Sequence, residues 1–241
     1  MEIRRFFVSP SDIDGNTVTV RGDEFVHMVK VLRVKKGFKV IVCADDGTER
    51  DCTVREITGD CAVLDVDALR KVDRRKVRLT LYCGLLKNQK TDIVIQKAVE
   101  LGVVRIVPFV SANTVEKKFN VERGRRIALE AAKQCGTAYV SEVCEPLSFG
   151  EVTARFGEFS DVLFAYEKER ENPVKSVVFQ GNDVALVVGS EGGFTEEEHE
   201  VAKNAGAVSV TLGRRILRAE TADIVACALT LDALGELDYD E

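Results

Sequence analysis

The stretch Val187-Val188-Gly189-Ser190-Glu191-Gly192-Gly193-Phe194-Thr195-Glu196-Glu197-Glu198 joins three signals. It opens on the end of an apolar run, Val184 to Val188, sized for a buried strand. A glycine-rich turn follows. Thr195 then stands as a helix N-cap, and Glu198 three residues later completes a capping box. Buried strand, glycine turn and capped helix describe a unit of an α/β sheet. Ligands in such sheets bind at the carboxyl ends of strands, where this turn falls. Glycines there permit positive φ and close approach of a ligand to the backbone. The turn lacks the Gly-Lys-Ser/Thr ending of a P-loop and does not match G-x-G-x-x-G. On spacing alone it is equally a tight turn with no ligand.

The same alternation extends on both sides. Strands are expected at Val77–Cys83, Val103–Val110, Asp161–Tyr166, Val184–Val188 and Ala207–Leu212. Helices are expected at Thr91–Leu101, Val121–Cys135, Glu196–Ala205 and Ala219–Leu234, with a short one between Phe149 and Phe156. Strand–helix alternation predicts a mostly parallel sheet covered on both faces. The first 68 residues differ. Short β-rich runs at Ile3–Val8, Thr17–Val20, Phe38–Cys43, Asp51–Ile57 and Cys61–Asp67 are separated by Asp14-Gly15-Asn16, Asp45-Asp46-Gly47 and Thr58-Gly59-Asp60. One helix interrupts them, with Asp23 as its N-cap and Phe25, Met28, Val29 and Leu32 on one face. Such strands suggest a small barrel or curled sheet. The charged run Arg70 to Lys76 reads as a linker, which puts a boundary near residue 72. The end, Glu236 to Glu241, reads as a frayed acidic tail.

At 241 residues, with 45% apolar and 31% charged content, the chain is long enough for one large domain or two small ones. No apolar run reaches the roughly 18 residues of a membrane helix. Met1 to Phe7 lacks the apolar core of a signal peptide, so a cytoplasmic protein is expected. Seven cysteines without C-x-x-C, and only two histidines, predict neither a zinc site nor a disulfide framework. The formal net charge of −6 hides an asymmetry: residues 1–90 hold 18 Lys and Arg against 14 Asp and Glu, and the remainder is acidic. A locally basic part suffices for polyanion binding, although such residues also serve as solvated surface.

Two further stretches carry candidate chemistry. In Leu212-Gly213-Arg214-Arg215-Ile216-Leu217-Arg218-Ala219-Glu220-Thr221-Ala222, a strand again ends in glycine. The three arginines cannot all face solvent if Ile216 and Leu217 are buried, so one is a candidate bidentate ligand for a carboxylate or phosphate. They also read as plain surface arginines. In Gly84-Leu85-Leu86-Lys87-Asn88-Gln89-Lys90, two lysines stand where strand becomes helix, placed for phosphate or as snorkelling surface residues.

Together these segments resemble one family, the ribosomal small-subunit RNA uridine-N3 methyltransferases of the SPOUT class. Arg4-Arg5-Phe6-Phe7 resembles its opening. His27 with Val31-Leu32-Arg33, Gly37 and Asp46-Gly47 match its N-terminal pattern. Gln96-Lys97 with Glu100-Leu101-Gly102-Val103, and Glu130-Ala131 with Gln134-Cys135, match its middle. Gly189 to Gly193 and Leu212 to Ala222 match its two C-terminal signatures.

The resemblance implies a PUA-like RNA-binding β-barrel over residues 1–72. Over residues 73–241 it implies a SPOUT α/β domain ending in a deep trefoil knot. It implies S-adenosyl-L-methionine as cofactor, held by Gly189, Ser190, Gly192, Gly193, Leu212, Gly213, Ile216 and Leu217. It implies a homodimer acting on 16S rRNA in the small ribosomal subunit, with no membrane partner and no metal. Arg218 is then expected to offset charge developing on the base, and Glu191 to accept its proton or orient it. Arg4, Arg5, His27, Arg33, Lys87 and Lys90 are expected to contact RNA. Two residues depart from the family pattern: Ser190 replaces a usual proline, and Thr137 a common arginine. The alternatives are a SPOUT enzyme acting on another RNA such as tRNA, and a non-catalytic RNA-binding protein.

Overall fold

The computed structural model describes residues 4–72 and 75–238. The chain forms two compact units: Met1–Arg74 with Ala132–Val140, and Arg75–Ala131 with Ser141–Glu241.

The first unit holds β1 (Arg5–Phe7), β2 (Ile13–Asp14), β3 (Thr17–Arg21), β4 (Lys39–Cys43), β5 (Thr48–Ile57) and β6 (Cys61–Lys71), ordered β1-β4-β5-β6-β3-β2 in one sheet. Only β1–β4 is parallel among these pairs. The three expected turns join β2 to β3, β4 to β5 and β5 to β6. Period-2 alternation buries Val18 and Val20 of β3 while its threonines stay partly exposed. Phe6, Met28, Val42, Val54 and Leu64 share that core. Helix α1 (Gly22–Val26) runs on into π-helical turns at His27–Val31. Asp23 is not its N-cap: Arg21 holds that position without a side-chain bond, and Asp23 lies in the first turn, where its charge still favours the helix start.

The supposed linker is partly strand. β6 continues through Arg70 and Lys71, and Arg70 pairs across the sheet with Asp51 at 2.7 Å and Glu49 at 3.2 Å. A charged run can stay in a ladder when each charge meets its opposite on the next strand. Of that run, Asp73 and Arg74 lie outside the described residues. A second surprise is the return of Ala132–Val140 to this unit. Ala138 is buried against Ile41 and Cys43, and Tyr139 donates its hydroxyl to the Val72 carbonyl at 3.2 Å. Gly47 leaves room for that tyrosine: a Cβ there would lie 2.6 Å from the hydroxyl.

The second unit holds β7 (Arg78–Gly84), α2 (Lys90–Leu101), β8 (Arg105–Val110), α3 (Val121–Cys135), β9 (Glu142–Val143), β10 (Leu147–Ser148), α4 (Phe149–Thr153), β11 (Asp161–Ala165), β12 (Asp183–Val188), α5 (Glu196–Asn204), β13 (Val208–Val210) and α6 (Ala219–Ala233). Its sheet runs β10-β8-β7-β12-β11-β13, with β9 also on β8, and every pair is parallel. The apolar runs of β7 and β12 are buried along nearly their whole length, as a sheet covered on both faces demands. An aromatic core of Tyr82, Phe109, Phe149, Phe164 and Phe194 lies on one side. Cys83 pairs with Val188, Val188 with Ala165, and Ala165 with Val210, so four strands end level. The acidic tail is tied at its start, because Glu236 accepts the Val77 N–H at 3.1 Å; residues 239–241 lie outside the described ones. Among the described residues no helix is long and apolar enough to cross a membrane.

Candidate active site

The loops leaving the level ends of β11, β12 and β13 enclose a pocket of about 340 Å³. Gly189 to Gly193 form one wall. The turn closes with a Gly193 N–H to Ser190 C=O bond of 2.9 Å, with Gly193 at φ +63°. Phe194 pins its far end, 4.2 Å from the Phe164 ring centroid, and a Cβ on Gly189 would lie 2.9 Å from the Phe194 ring. The Asn113 amide donates to the Gly192 carbonyl at 3.1 Å. Behind the loop, Thr195 and Glu198 form the expected capping box, with bonds of 3.1 and 3.0 Å, and Glu198 also accepts the Ala112 N–H at 2.7 Å. Ser190 is buried, and its hydroxyl accepts from Thr114 at 3.4 Å.

The second wall is Thr211 to Leu217, which brings Leu212, Gly213, Ile216 and Leu217 to the pocket with Gly189, Ser190, Gly192 and Gly193. Ile216 is 90% exposed, so the premise that burial of this pair would force an arginine inward fails. Arg214 and Arg215 line the pocket and are exposed. Arg218 does not line it. It is the exposed N-cap residue of α6, and its carbonyl accepts from Ala222 at 2.8 Å.

Glu191 lines the pocket and is already engaged. Its Oε1 accepts the Lys87 backbone N–H at 3.2 Å and lies 3.4 Å from Lys90 Nζ. Lys90 also lies 3.3 Å from Glu220 Oε2, an ion pair without hydrogen-bond alignment. Burial pushes the Glu220 carboxyl up, but its own backbone N–H, Lys90 and Arg218 outweigh that and hold it below the ordinary value. Lys87 itself is exposed.

Sequence reasoning missed the third wall, Tyr166, Glu167 and Arg170, from the loop after β11. Tyr166 is stacked on His199 at 4.0 Å, and His199 Nε2 bonds the Ser209 hydroxyl at 2.7 Å. Arg170 donates to the Glu167 and Glu169 carbonyls. The signal available was position alone: this loop leaves a strand adjacent to β12. Nearby in α6, Asp223 is fully buried, and neither oxygen has a hydrogen-bond partner among the described residues. Burial, reinforced by Glu220, pushes its carboxyl well above the usual range.

In the first unit the candidate RNA residues divide. Arg5 is largely enclosed, bonding Glu49 at 2.5 Å and the Cys43 sulfur at 3.0 Å. Arg4 bonds the Leu32 carbonyl. His27 is half-buried, with its ring edge-on to Phe6 at 6.4 Å. Arg33 is exposed in a left-handed turn at φ +53°.

Known proteins share this architecture. An RNA methyltransferase domain family matches residues 73–231, and an RNA methyltransferase PUA domain family matches residues 20–66. The Ribosomal RNA small subunit methyltransferase E of Bacillus subtilis (strain 168) is 32% identical over 224 residues, covering 87% of this chain and 88% of that protein. The crystal structure of the Neisseria gonorrhoeae Ribosomal RNA small subunit methyltransferase E, bound to S-adenosyl methionine, superposes with a TM-score of 0.84. It is 26% identical and covers 96% of this chain and 98% of that one. A probable rRNA-methyltransferase from Porphyromonas gingivalis gives 0.81 at 27% identity, covering 93% and 95%. A PUA part, a methyltransferase part and a nearly end-to-end match to a relative so named settle the kinship: the chain belongs to the RNA methyltransferase family of the Ribosomal RNA small subunit methyltransferase E proteins.

Proposed function

We propose that this protein transfers a methyl group from S-adenosyl-L-methionine to N3 of a uridine in the 16S rRNA of the small ribosomal subunit. One observation carries the reading. The two segments singled out in the sequence, Gly189 to Gly193 and Leu212 to Leu217, face each other across one pocket. Its size falls in the range of small-molecule sites, about 300–1,000 Å³. Its walls suit a zwitterionic sulfonium cofactor: glycine-rich backbone for close approach, the carboxylates of Glu167 and Glu191 for its positive groups, and Arg170, Arg214 and Arg215 for its carboxylate.

When bound, the cofactor supplies an electrophilic methyl on a sulfonium. The protein must present uridine N3 in line with it, and N3 carries a proton in the neutral base. Positioning lowers the barrier by removing orientational freedom before the reaction. Arg218 at the α6 N-terminus stabilises negative charge as the N3 proton leaves. Glu191 orients the base through a carboxylate that Lys87 and Lys90 already hold in place. Both of those contacts fall on Oε1, so Oε2 is the oxygen that takes the N3 proton.

The finer architecture belongs to the same proposal. The six-stranded sheet around the Phe6–Leu64 core is a PUA-like barrel serving RNA, with domain roles divided at residues 1–72 and 73–241. The α/β unit is knotted. Support comes from α6, which follows edge strand β13 yet packs back on β12, β7 and the turn Val174–Ser176. The active form is a cytoplasmic homodimer. Helices α2 and α6 pack together and still expose Ile93 and Leu229.

The test is calorimetric titration with S-adenosylmethionine and S-adenosylhomocysteine, followed by methylation of small subunits that lack the modification. N3 methylation blocks Watson–Crick pairing, so primer extension reads the product as a stop. Saturable binding and a new stop support the proposal. Methylation of tRNA instead would retarget it, and neither binding nor a stop would leave an RNA-binding protein.

A further inference from the structure

The turn between β7 and α2 is strained and heavily constrained. Asn88 and Gln89 both adopt left-handed conformations, at φ +54° and +61°. Asparagine enters that region readily, but glutamine does so rarely, and such a residue persists only where the surroundings over-determine it. The surroundings here do so. Thr91, buried at the start of α2, accepts the Leu86 N–H at 3.0 Å and closes the turn from behind. Lys90 donates its backbone N–H to the Lys87 carbonyl at 3.2 Å. The result aims the Lys87 N–H and the Lys90 ammonium at one carboxylate, Glu191.

Lys90 reaches two walls. Glu191 belongs to the glycine loop, and Glu220 to the first turn of α6, just beyond the second pocket segment. Its ammonium stands 3.4 Å from one carboxylate and 3.3 Å from the other. The three side chains retain only 27%, 31% and 17% of their exposure. An isolated surface ion pair is worth little. This arrangement differs, because one ammonium is shared by two carboxylates on separate segments, and removing it takes a counter-charge from both at once. It also engages the ammonium with two anions of the protein itself, which leaves it less free to serve as a phosphate ligand.

We propose that Lys90 is a positioning residue of the methyl-transfer site, bridging Glu191 of the glycine loop to Glu220 of α6, rather than an RNA contact. This rests on the cofactor assignment above. The turn at Lys87–Lys90 works as a clamp that sets the spacing of the two pocket walls and the direction of the Glu191 carboxylate.

The experiment compares wild type, Lys90→Met and Lys90→Arg. Three readouts are taken: calorimetric affinity for S-adenosylhomocysteine, hydrogen exchange of ligand-free backbone amides, and salt-dependent binding to a 16S rRNA fragment. Lys90→Met is expected to weaken S-adenosylhomocysteine about tenfold and to speed exchange in residues 189–193 and 218–222. The RNA salt slope should be unchanged, and Lys90→Arg should recover most of the affinity. A Lys90→Met protein with wild-type cofactor affinity and loop exchange overturns the proposal. So does a salt slope lower by about one, the mark of a lost phosphate contact. If Lys90→Met does not fold, Glu220→Gln removes one arm of the bridge and carries the same expectations. If wild type itself fails to bind S-adenosylhomocysteine, the cofactor reading falls, while the exchange data still decide whether the clamp exists.

Discussion

A Cβ placed on Gly84 would sit 2.4 Å from the Ser190 backbone nitrogen and 2.8 Å from the Gly189 carbonyl carbon. The last residue of β7 thus supports the glycine loop by direct backbone contact. Backbone cannot swing aside as a side-chain tip does, so Gly84→Ala must displace the loop. The expected cost is about 1–3 kcal/mol of stability, as for overpacked sites, with at least a tenfold loss of S-adenosylhomocysteine affinity. Urea denaturation and calorimetry measure both. An alanine variant with unchanged affinity would show that the loop tolerates being moved.

Arg218 stands outside the pocket wall, at the start of α6. Arg218→Ala should therefore leave cofactor affinity within a factor of about two, while slowing methyl transfer about a hundredfold or more as the charge-stabilising group is lost. Parallel loss of both would make it a cofactor ligand.

Arg5 and Arg33 should part company. Arg5 is held against Glu49, with side chains only 9% and 11% exposed. Removing one member of a buried pair strands the other, although Arg70 remains 3.2 Å from Glu49. Arg5→Ala is expected to cost about 3 kcal/mol in thermal or urea unfolding. Arg33→Ala should leave stability unchanged, weaken RNA uniformly and lower the salt slope by about one. Equal stability losses would contradict this division.

Asp223 makes stability depend on pH in an unusual direction. Burial raises its carboxyl in the folded state, so the folded protein keeps a proton that the unfolded chain releases above about pH 4. The folded form then binds more protons, and stability falls as pH rises toward the folded-state value. Asp223→Asn removes the titration. Its stability relative to wild type should rise as pH climbs above the ordinary carboxylate value of about 4. A pH-independent difference in urea midpoints would mean Asp223 is ionised in the folded state.

Much of the fold was legible because it follows from short-range chemistry. The Thr195–Glu198 capping box, the three hairpin turns and the apolar runs of β7 and β12 depend on neighbours within a few residues. Contacts between distant segments were not. Nothing in the periodicity of α3 says that Ala138 and Tyr139 join the first unit. The Arg70 strand pairing shows only once β5 lies beside β6. At the site, the two glycine-bearing walls were visible as strand–turn–helix signals. Tyr166, Glu167 and Arg170 were not, since their loop carries no motif and its role follows from β11 lying next to β12. Ile216 misled because an apolar residue at a pocket mouth stays exposed.

The return of Ala132–Val140 to the N-terminal unit has a consequence for biogenesis. A nascent chain emerges N-terminus first, at about 5–20 residues per second, and domains tend to fold as they appear. The first 72 residues therefore leave the ribosome before Ala138 and Tyr139, which complete their packing. By then β7, α2, β8 and α3 have been made. The N-terminal unit is finished only after the synthesis of its neighbour is well under way, and a fragment cut at residue 72 lacks a piece of its own interior.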